Sequence, residues 1–320
     1  MPQRSFRDFH VFRLWSALAP CIAVVVAAGV LSHVGWSVAP TAHAAAPLNV
    51  VATTTQIEDF VAHVGGERVN VLPILAGDDD PHDYQPTADD ARKFAQADLV
   101  LANGVGLETW MDPLLTNVPN GTPIVRLGDE SDLPLLQGTG EEEQSGDPHV
   151  WQDPTNVEKM VVKIRDTLSA TDPDGAPTYQ ANAEVYTAQL DQLDQSISQQ
   201  IQTIPPDQRK LVTNHDAFTY YVNRYGLTFV GSVIPSLSTD AQPSAAEVQQ
   251  LVQEIADQHV KAIYTETTVN PQLERQIAQL ASVKVYSNLY GDALGKAGTP
   301  GETYIGAMQF NTQQIVDGLR

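Results

Sequence analysis

Residues 179–204 run YQANAEVYTAQLDQLDQSISQQIQTI. Tyr179, Ala183, Tyr186, Leu190, Leu193, Ile197, Ile201 and Ile204 recur there at steps of three and four, with Gln, Asp and Ser elsewhere, which lays one apolar stripe along one helical face. The spacing predicts a single long helix. Pro173-Asp174-Gly175 precedes it and Pro205-Pro206 stops it. At ~1.5 Å per residue the stretch extends ~39 Å, enough to run along two lobes of a protein this size, so it is read as a connector.

On either side the pattern changes to short β-branched runs alternating with amphipathic stretches. Before the helix, Leu48 to Thr53, Val69 to Leu72, Leu99 to Ala102 and Ile124 to Leu127 read as strands. After it, Leu211 to Thr213, Thr228 to Val233, Val260 to Tyr264 and Val283 to Tyr286 do the same, separated by helix-like 216–224, 245–257 and 270–280. Strand–helix–strand alternation demands crossovers, so the expected fold is α/β, two lobes with mainly parallel sheets joined by the long helix. The expected divisions are 1–45 as a signal peptide, 46–177 as an N-terminal lobe, 178–205 as the connecting helix and 206–320 as a C-terminal lobe. Residues 138–147, with Glu141, Glu142 and Glu143 among Gly, Ser and Gln, lack periodicity and read as a solvated acidic loop.

The 320 residues are 42% hydrophobic, which excludes a disordered or fibrous chain. With 18 Lys and Arg against 39 Asp and Glu, the net charge of -21 repels a phosphate backbone, so nucleic acid is not an expected partner. Arg4, Arg7 and Arg13 precede an apolar stretch from Leu14 to Leu31, and Ala42-His43-Ala44 follows, the order of a secretory signal with cleavage near Ala44 or Ala45. An uncleaved anchor is the alternative. Cys21, the only cysteine, follows Leu18-Ala19-Pro20, where proline takes the place of the small residue of a lipobox and the apolar run continues past it. Lipidation is therefore not expected, and beyond the signal no thiol is left for a disulfide or a thiolate-bound metal.

Five histidines lie beyond residue 45. His82 sits in Asp79-Asp80-Pro81-His82-Asp83-Tyr84-Gln85-Pro86, a proline-stiffened loop leading to a helix start near Thr87. His149 repeats the arrangement in Asp147-Pro148-His149-Val150-Trp151-Gln152-Asp153-Pro154, and His215 follows a strand in Thr213-Asn214-His215-Asp216-Ala217-Phe218. All three are assigned to carboxyl ends of strands, where open α/β sheets bind ligands. His63, before Gly65-Gly66, and His259, before a strand, read as structural. Neither H-E-x-x-H nor Cys-x-x-Cys is present, so spacing alone leaves a shared metal open.

The segments Pro81 to Pro86, Asp147 to Trp151 with Asp153-Pro154, and His215 to Phe218 with Tyr220-Tyr221 and Tyr225-Gly226-Leu227 resemble three motifs of the zinc/manganese solute-binding proteins of ABC transporters. Leu289-Tyr290-Gly291-Asp292-Ala293-Leu294, followed by Gly301 to Ile305, Met308 and Asn311, is similar to that family's C-terminal motif. The matches fall in the right order over essentially the whole chain beyond the signal. The resemblance implies two α/β lobes on a rigid helix, with metal held in the cleft between them by His82, His149, His215 and Asp292. It also implies delivery of the ion to a membrane permease, no enzymatic activity, and a monomer in the periplasm or at the extracytoplasmic cell surface. Three imidazoles and one carboxylate suit Zn²⁺; manganese-binding relatives typically carry glutamate at the position of His215, and Mn²⁺ remains the alternative. Glu266, at a strand end, is the first candidate to orient an imidazole, with Asp83 and Asp216 behind it. The resembling zinc proteins often carry a His-rich acidic loop, whereas 138–147 has no histidine. A secreted zinc hydrolase would need an open coordination position, and Asp292 as fourth ligand counts against it. A binder of a larger chelate such as a siderophore would need aromatic or Arg residues in the cleft instead.

Overall fold

The structure is a computed structural model and describes residues 46–130, 133–137 and 146–320. The expected signal, 1–45, and residues 138–145 of the acidic loop lie outside the described residues. The first half of the chain builds a four-stranded parallel sheet in the order β2-β1-β3-β4, from β1 (Leu48–Ala52), β2 (Val69–Pro73), β3 (Leu99–Ala102) and β4 (Ile124–Arg126). The sequence of β3, LVLA, is buried throughout, as a central strand covered on both faces must be. Crossovers are made by α1 (Thr55–Gly65), capped by the Thr54 hydroxyl, and α2 (Ala88–Ala95), whose Thr87 and Asp90 form a reciprocal capping box. Two single turns, α3 (Asp112–Leu115) and α4 (Leu127–Glu130), complete this half before α5 (Pro154–Thr171).

The second half carries two parallel pairs, β5 (Lys210–Thr213) with β6 (Thr228–Ser232) and β7 (Ala262–Glu266) with β8 (Lys284–Leu289). Around them lie α7 (Thr219–Tyr225), α8 (Ala245–Asp257), α9 (Gln272–Ala281) and the closing α10 (Tyr304–Leu319).

The long helix is α6 (Ala176–Gln202), begun with Pro177 in its first turn and ended before Pro205. Its buried residues are Tyr179, Ala183, Tyr186, Leu190, Leu193, Ile197 and Ile201, the stripe visible in the sequence. This face packs on α1 and α5 from the first half and on α10 from the end of the chain, in one core running from Val50 to Leu319. Burying each Leu or Ile contributes ~1.5–3 kcal/mol, so tertiary packing outweighs the helix's own propensity. Polar fasteners add to it. Asp172 binds Arg68 bidentately and accepts from the Tyr179 hydroxyl at 2.7 Å, the Tyr186 hydroxyl donates to Asp59 at 2.8 Å, and Arg224 of α7 grips Asp194 at 2.6 Å. Helix α6 is thereby pinned to elements from both halves.

Candidate metal centre

Four loops deliver the site. His82 lies between β2 and α2, where Asp80 Oδ1 accepts the His82 backbone N–H at 2.8 Å and Trp110 donates to the Pro81 carbonyl at 2.9 Å. In the Asp78-Asp79-Asp80 run, Asp78 takes φ 69° and pairs with Lys296 at 3.2 Å, and Asp79 Oδ2 accepts the Ala76 backbone N–H at 2.8 Å. His149 does not come from a strand end as expected. It precedes a 3-10 turn, Val150–Gln152, that opens α5, and Asn103 at the end of β3 reaches across to donate to the Pro148 carbonyl at 2.9 Å. His215 follows β5 directly. Asp292 lies beyond β8, in a segment clamped from the first half of the chain. Trp151 Nε1 and Gln152 Nε2 donate to the Gly291 carbonyl at 2.9 and 3.0 Å, Gln56 Nε2 donates to the Asp292 carbonyl at 2.9 Å, and Leu294 N donates to Thr55 Oγ1 at 2.8 Å. Asn311, part of the C-terminal motif, holds Tyr290 by both its N–H and its carbonyl.

These loops bring one donor atom each from His82, His149, His215 and Asp292 within 4.8 Å of one another. His82 Nε2 is 3.3 Å from His149 Nε2 and 3.7 Å from Asp292 Oδ2; His149 Nε2 is 3.3 Å from Asp292 Oδ1, and His215 Nε2 is 3.2 Å from Asp292 Oδ2. His215 Nε2 and both carboxylate oxygens of Asp292 are buried without a hydrogen-bond partner. A buried, unpartnered donor set costs stability unless something fills it, and a divalent cation fits. Zinc–nitrogen and zinc–oxygen bonds of ~2.0–2.1 Å give a tetrahedron with edges of ~3.3–3.4 Å.

Carboxylates stand behind two of the rings. His149 Nδ1 is 2.7 Å from Asp147 Oδ1, and His215 Nδ1 is 3.1 Å from Glu266 Oε1. An ionised carboxylate only accepts, so Nδ1 carries the proton and Nε2 turns its lone pair toward Asp292 when the ring is neutral. Glu266 is thus where the sequence suggested. Asp83 is exposed, and Asp216 accepts from Ser232 instead. Asp147 was not anticipated; its signal was the i, i+2 spacing to His149 across a proline.

Electrostatics follow from this arrangement. Burial opposes charge on all three imidazoles. On His82 it wins and, with His149 and His215 nearby, lowers the pKa to about 3 despite Asp292. On His149 burial is outweighed by Asp147 and Asp292, which raise the pKa to about 9. On His215 burial is likewise outweighed, by Asp292 and Glu266, and the pKa rises well above its ordinary value. Burial pushes Asp292 upward too, but the three histidines, His215 foremost, hold it well below the usual carboxylate range. Burial raises Glu266, only partly offset by His215. Both upward shifts favour the protonated forms of His149 and His215 in the metal-free cluster, so a cation competes with protons there. The other two histidines lie apart: His63 stacks on Tyr186 at 4.2 Å, and His259 ends α8 at φ 56°.

The chain is 34% identical over 273 residues to the manganese-binding lipoprotein MntA of Halalkalibacterium halodurans, covering 85% of this chain and 88% of that one. It is 28% identical to the manganese ABC transporter substrate-binding lipoprotein PsaA of Streptococcus pneumoniae, over 85% and 89% of the two chains. Among solved structures it resembles the periplasmic zinc-binding protein TroA of Treponema pallidum, with a TM-score of 0.79, 30% identity and coverage of 86% and 99%. It also resembles the manganese-bound periplasmic metal-binding protein of Candidatus Liberibacter asiaticus, with a TM-score of 0.77, 27% identity and coverage of 85% and 99%. Residues 50–318 match the family described as the periplasmic zinc-uptake complex component A, and the chain belongs to that family.

Proposed function

We propose that this protein is the extracytoplasmic receptor that captures Zn²⁺ and hands it to the membrane permease of an ABC importer, with His82, His149, His215 and Asp292 as the ligands. The protein is a metal-binding substrate-binding protein, and zinc is the finer part of the proposal. It works as a monomer, with lobes 46–177 and 206–320 joined by 178–205. The observation that carries this is the convergence of four donor atoms within 4.8 Å, with His215 Nε2 and both Asp292 oxygens buried and unpartnered and several donor pairs 3.2–3.7 Å apart, near the edge of a zinc tetrahedron. Four protein donors also leave no vacant position for an activated water, which favours a carrier over a hydrolase.

Manganese is the second reading, favoured by the 34% identity to a manganese-binding lipoprotein. Three nitrogen donors against one oxygen support zinc, because Mn²⁺ prefers oxygen-rich, octahedral surroundings. Metal analysis of protein purified without added metal, beside the His149→Ala variant, tests the reading. One tightly held zinc, lost in the variant, is expected; bound manganese in preference to zinc under competition refutes the zinc assignment. His215→Glu is expected to move preference toward Mn²⁺, and unchanged selectivity would reject the role given to that ligand.

A further inference from the structure

His82 differs from the other three donors in its surroundings. Its side chain keeps 7% exposure whereas those of His149, His215 and Asp292 have none, and among the described residues no carboxylate backs its Nδ1. It lines a cleft of about 520 Å³ together with Val105, Gly106, Leu237, Ser238 and Asp240. Of the four donors only His82 lines this cleft, which makes the cleft the candidate way from solvent to the cluster. Leu237, Ser238 and Asp240 belong to a strap, residues 233–241, between β6 and α8.

The strap is fastened unequally. At its near end three backbone bonds join it to the His215 segment: Val233 N to Thr213 O at 3.0 Å, Ile234 N to Asn214 O at 2.7 Å, and Asp216 N to Ser236 O at 3.0 Å. At its far end one side-chain bond crosses to the His82 loop, where Thr239 Oγ1 donates to Asp80 Oδ2 at 2.6 Å. The other oxygen of that carboxylate accepts the His82 backbone N–H at 2.8 Å, so Thr239 touches the ligand loop through Asp80 alone. With three bonds against one, the strap parts first at Thr239. Because Trp151, Gln152 and Gln56 hold the Asp292 segment independently, parting there exposes His82 and leaves the other donors in place.

We propose that Thr239 is a positioning residue that, through Asp80, holds the metal's route shut beside His82 and so sets the rate of metal exchange. The inference rests on the metal-receptor reading above. A barrier on the route slows passage in both directions equally, so its removal changes rates and leaves the equilibrium alone. The test is Thr239→Val in the full chain, with the zinc association rate measured by stopped flow and the dissociation rate by capture with excess chelator. Both rate constants are expected to rise about tenfold, with Kd within twofold of wild type, as loss of one hydrogen bond to a carboxylate allows. Thr239→Ser, which keeps the hydroxyl, is expected to restore the wild-type rates. Unchanged rate constants, or a change in Kd carried by dissociation alone, would overturn the latch. A wild-type chain that binds neither zinc nor manganese would instead overturn the receptor reading beneath it.

Discussion

Two imidazoles whose hold on a proton is strengthened by neighbouring carboxylates make metal capture a proton-releasing reaction, and its size follows from the site. With a pKa of about 9, His149 is neutral in about 1% of metal-free molecules at pH 7, which sets against zinc a proton competition of about a hundredfold. The sign is fixed by the direction of the shift. Raising the pH removes the competing proton, so affinity climbs about tenfold per pH unit until about pH 9. His215, raised in the same direction by Asp292 and Glu266, contributes a second proton, whereas His82, lowered to about 3, is already neutral and contributes nothing above mild acid. Between pH 6 and pH 8, Kd is expected to fall about a hundredfold from His149 alone, and further with His215, which is shifted in the same direction. The imidazole range near ~6.5, expected for unperturbed rings, is moved upward by the carboxylates behind them. Chelator-competition titrations across this range measure the slope, and calorimetry in two buffers of different ionisation enthalpy counts the protons. Asp147→Asn, removing the charge 2.7 Å from His149 Nδ1, is expected to reduce the slope by about one proton. A Kd constant within threefold from pH 6 to pH 8, or binding without proton release, would refute this account of the site.

Other consequences are as direct. Glu266→Gln is expected to weaken zinc binding about 10–100-fold while leaving the unfolding temperature of the metal-free protein within a few degrees, measured by competition titration and calorimetry. Gly291→Ala would drive a Cβ into the Glu266 carboxylate, so a loss of metal affinity larger than for Glu266→Gln is expected in the same titration. Removing the metal should lower the unfolding temperature, since a ligand at about a thousand times its Kd adds about 4 kcal/mol, and the effect should grow with pH as affinity does. Because α6 is pinned to both halves, metal-free and metal-loaded forms are expected to share one backbone apart from a few loops; small-angle scattering showing hinge closure would contradict that.

The long helix was legible because its stripe is local: each buried residue of α6 announces itself three or four positions from the next. The strands were legible for the same reason, as short β-branched runs. The two Pro- and Asp-flanked histidine segments and the strand-end His215 were legible as unusual loops, but their convergence with Asp292 came from family likeness, since no local spacing encodes a site built from residues 82 to 292. What stayed hidden is what depends on contacts between remote segments. His149 reaches the cluster through Asn103 and the turn opening α5 and not from a strand end, and its partner Asp147 looked like one acid among 39 Asp and Glu. The Trp151, Gln152 and Gln56 clamps on the Asp292 segment, and the Thr239 bond to Asp80, join residues that the sequence gives no reason to pair.

The clamp on Gly291 and Asp292 bears on biosynthesis. A ribosome adds ~5–20 residues per second, and the fourth donor is made only after more than nine-tenths of the chain. A growing or threading polypeptide therefore presents three scattered imidazoles with nothing to gather them. A chain truncated after Leu289 should show only weak zinc retention in equilibrium dialysis, and tight retention would contradict this order of assembly. Cargo loading then doubles as a certificate of completion, granted only once the tail has docked on Trp151 and Gln56.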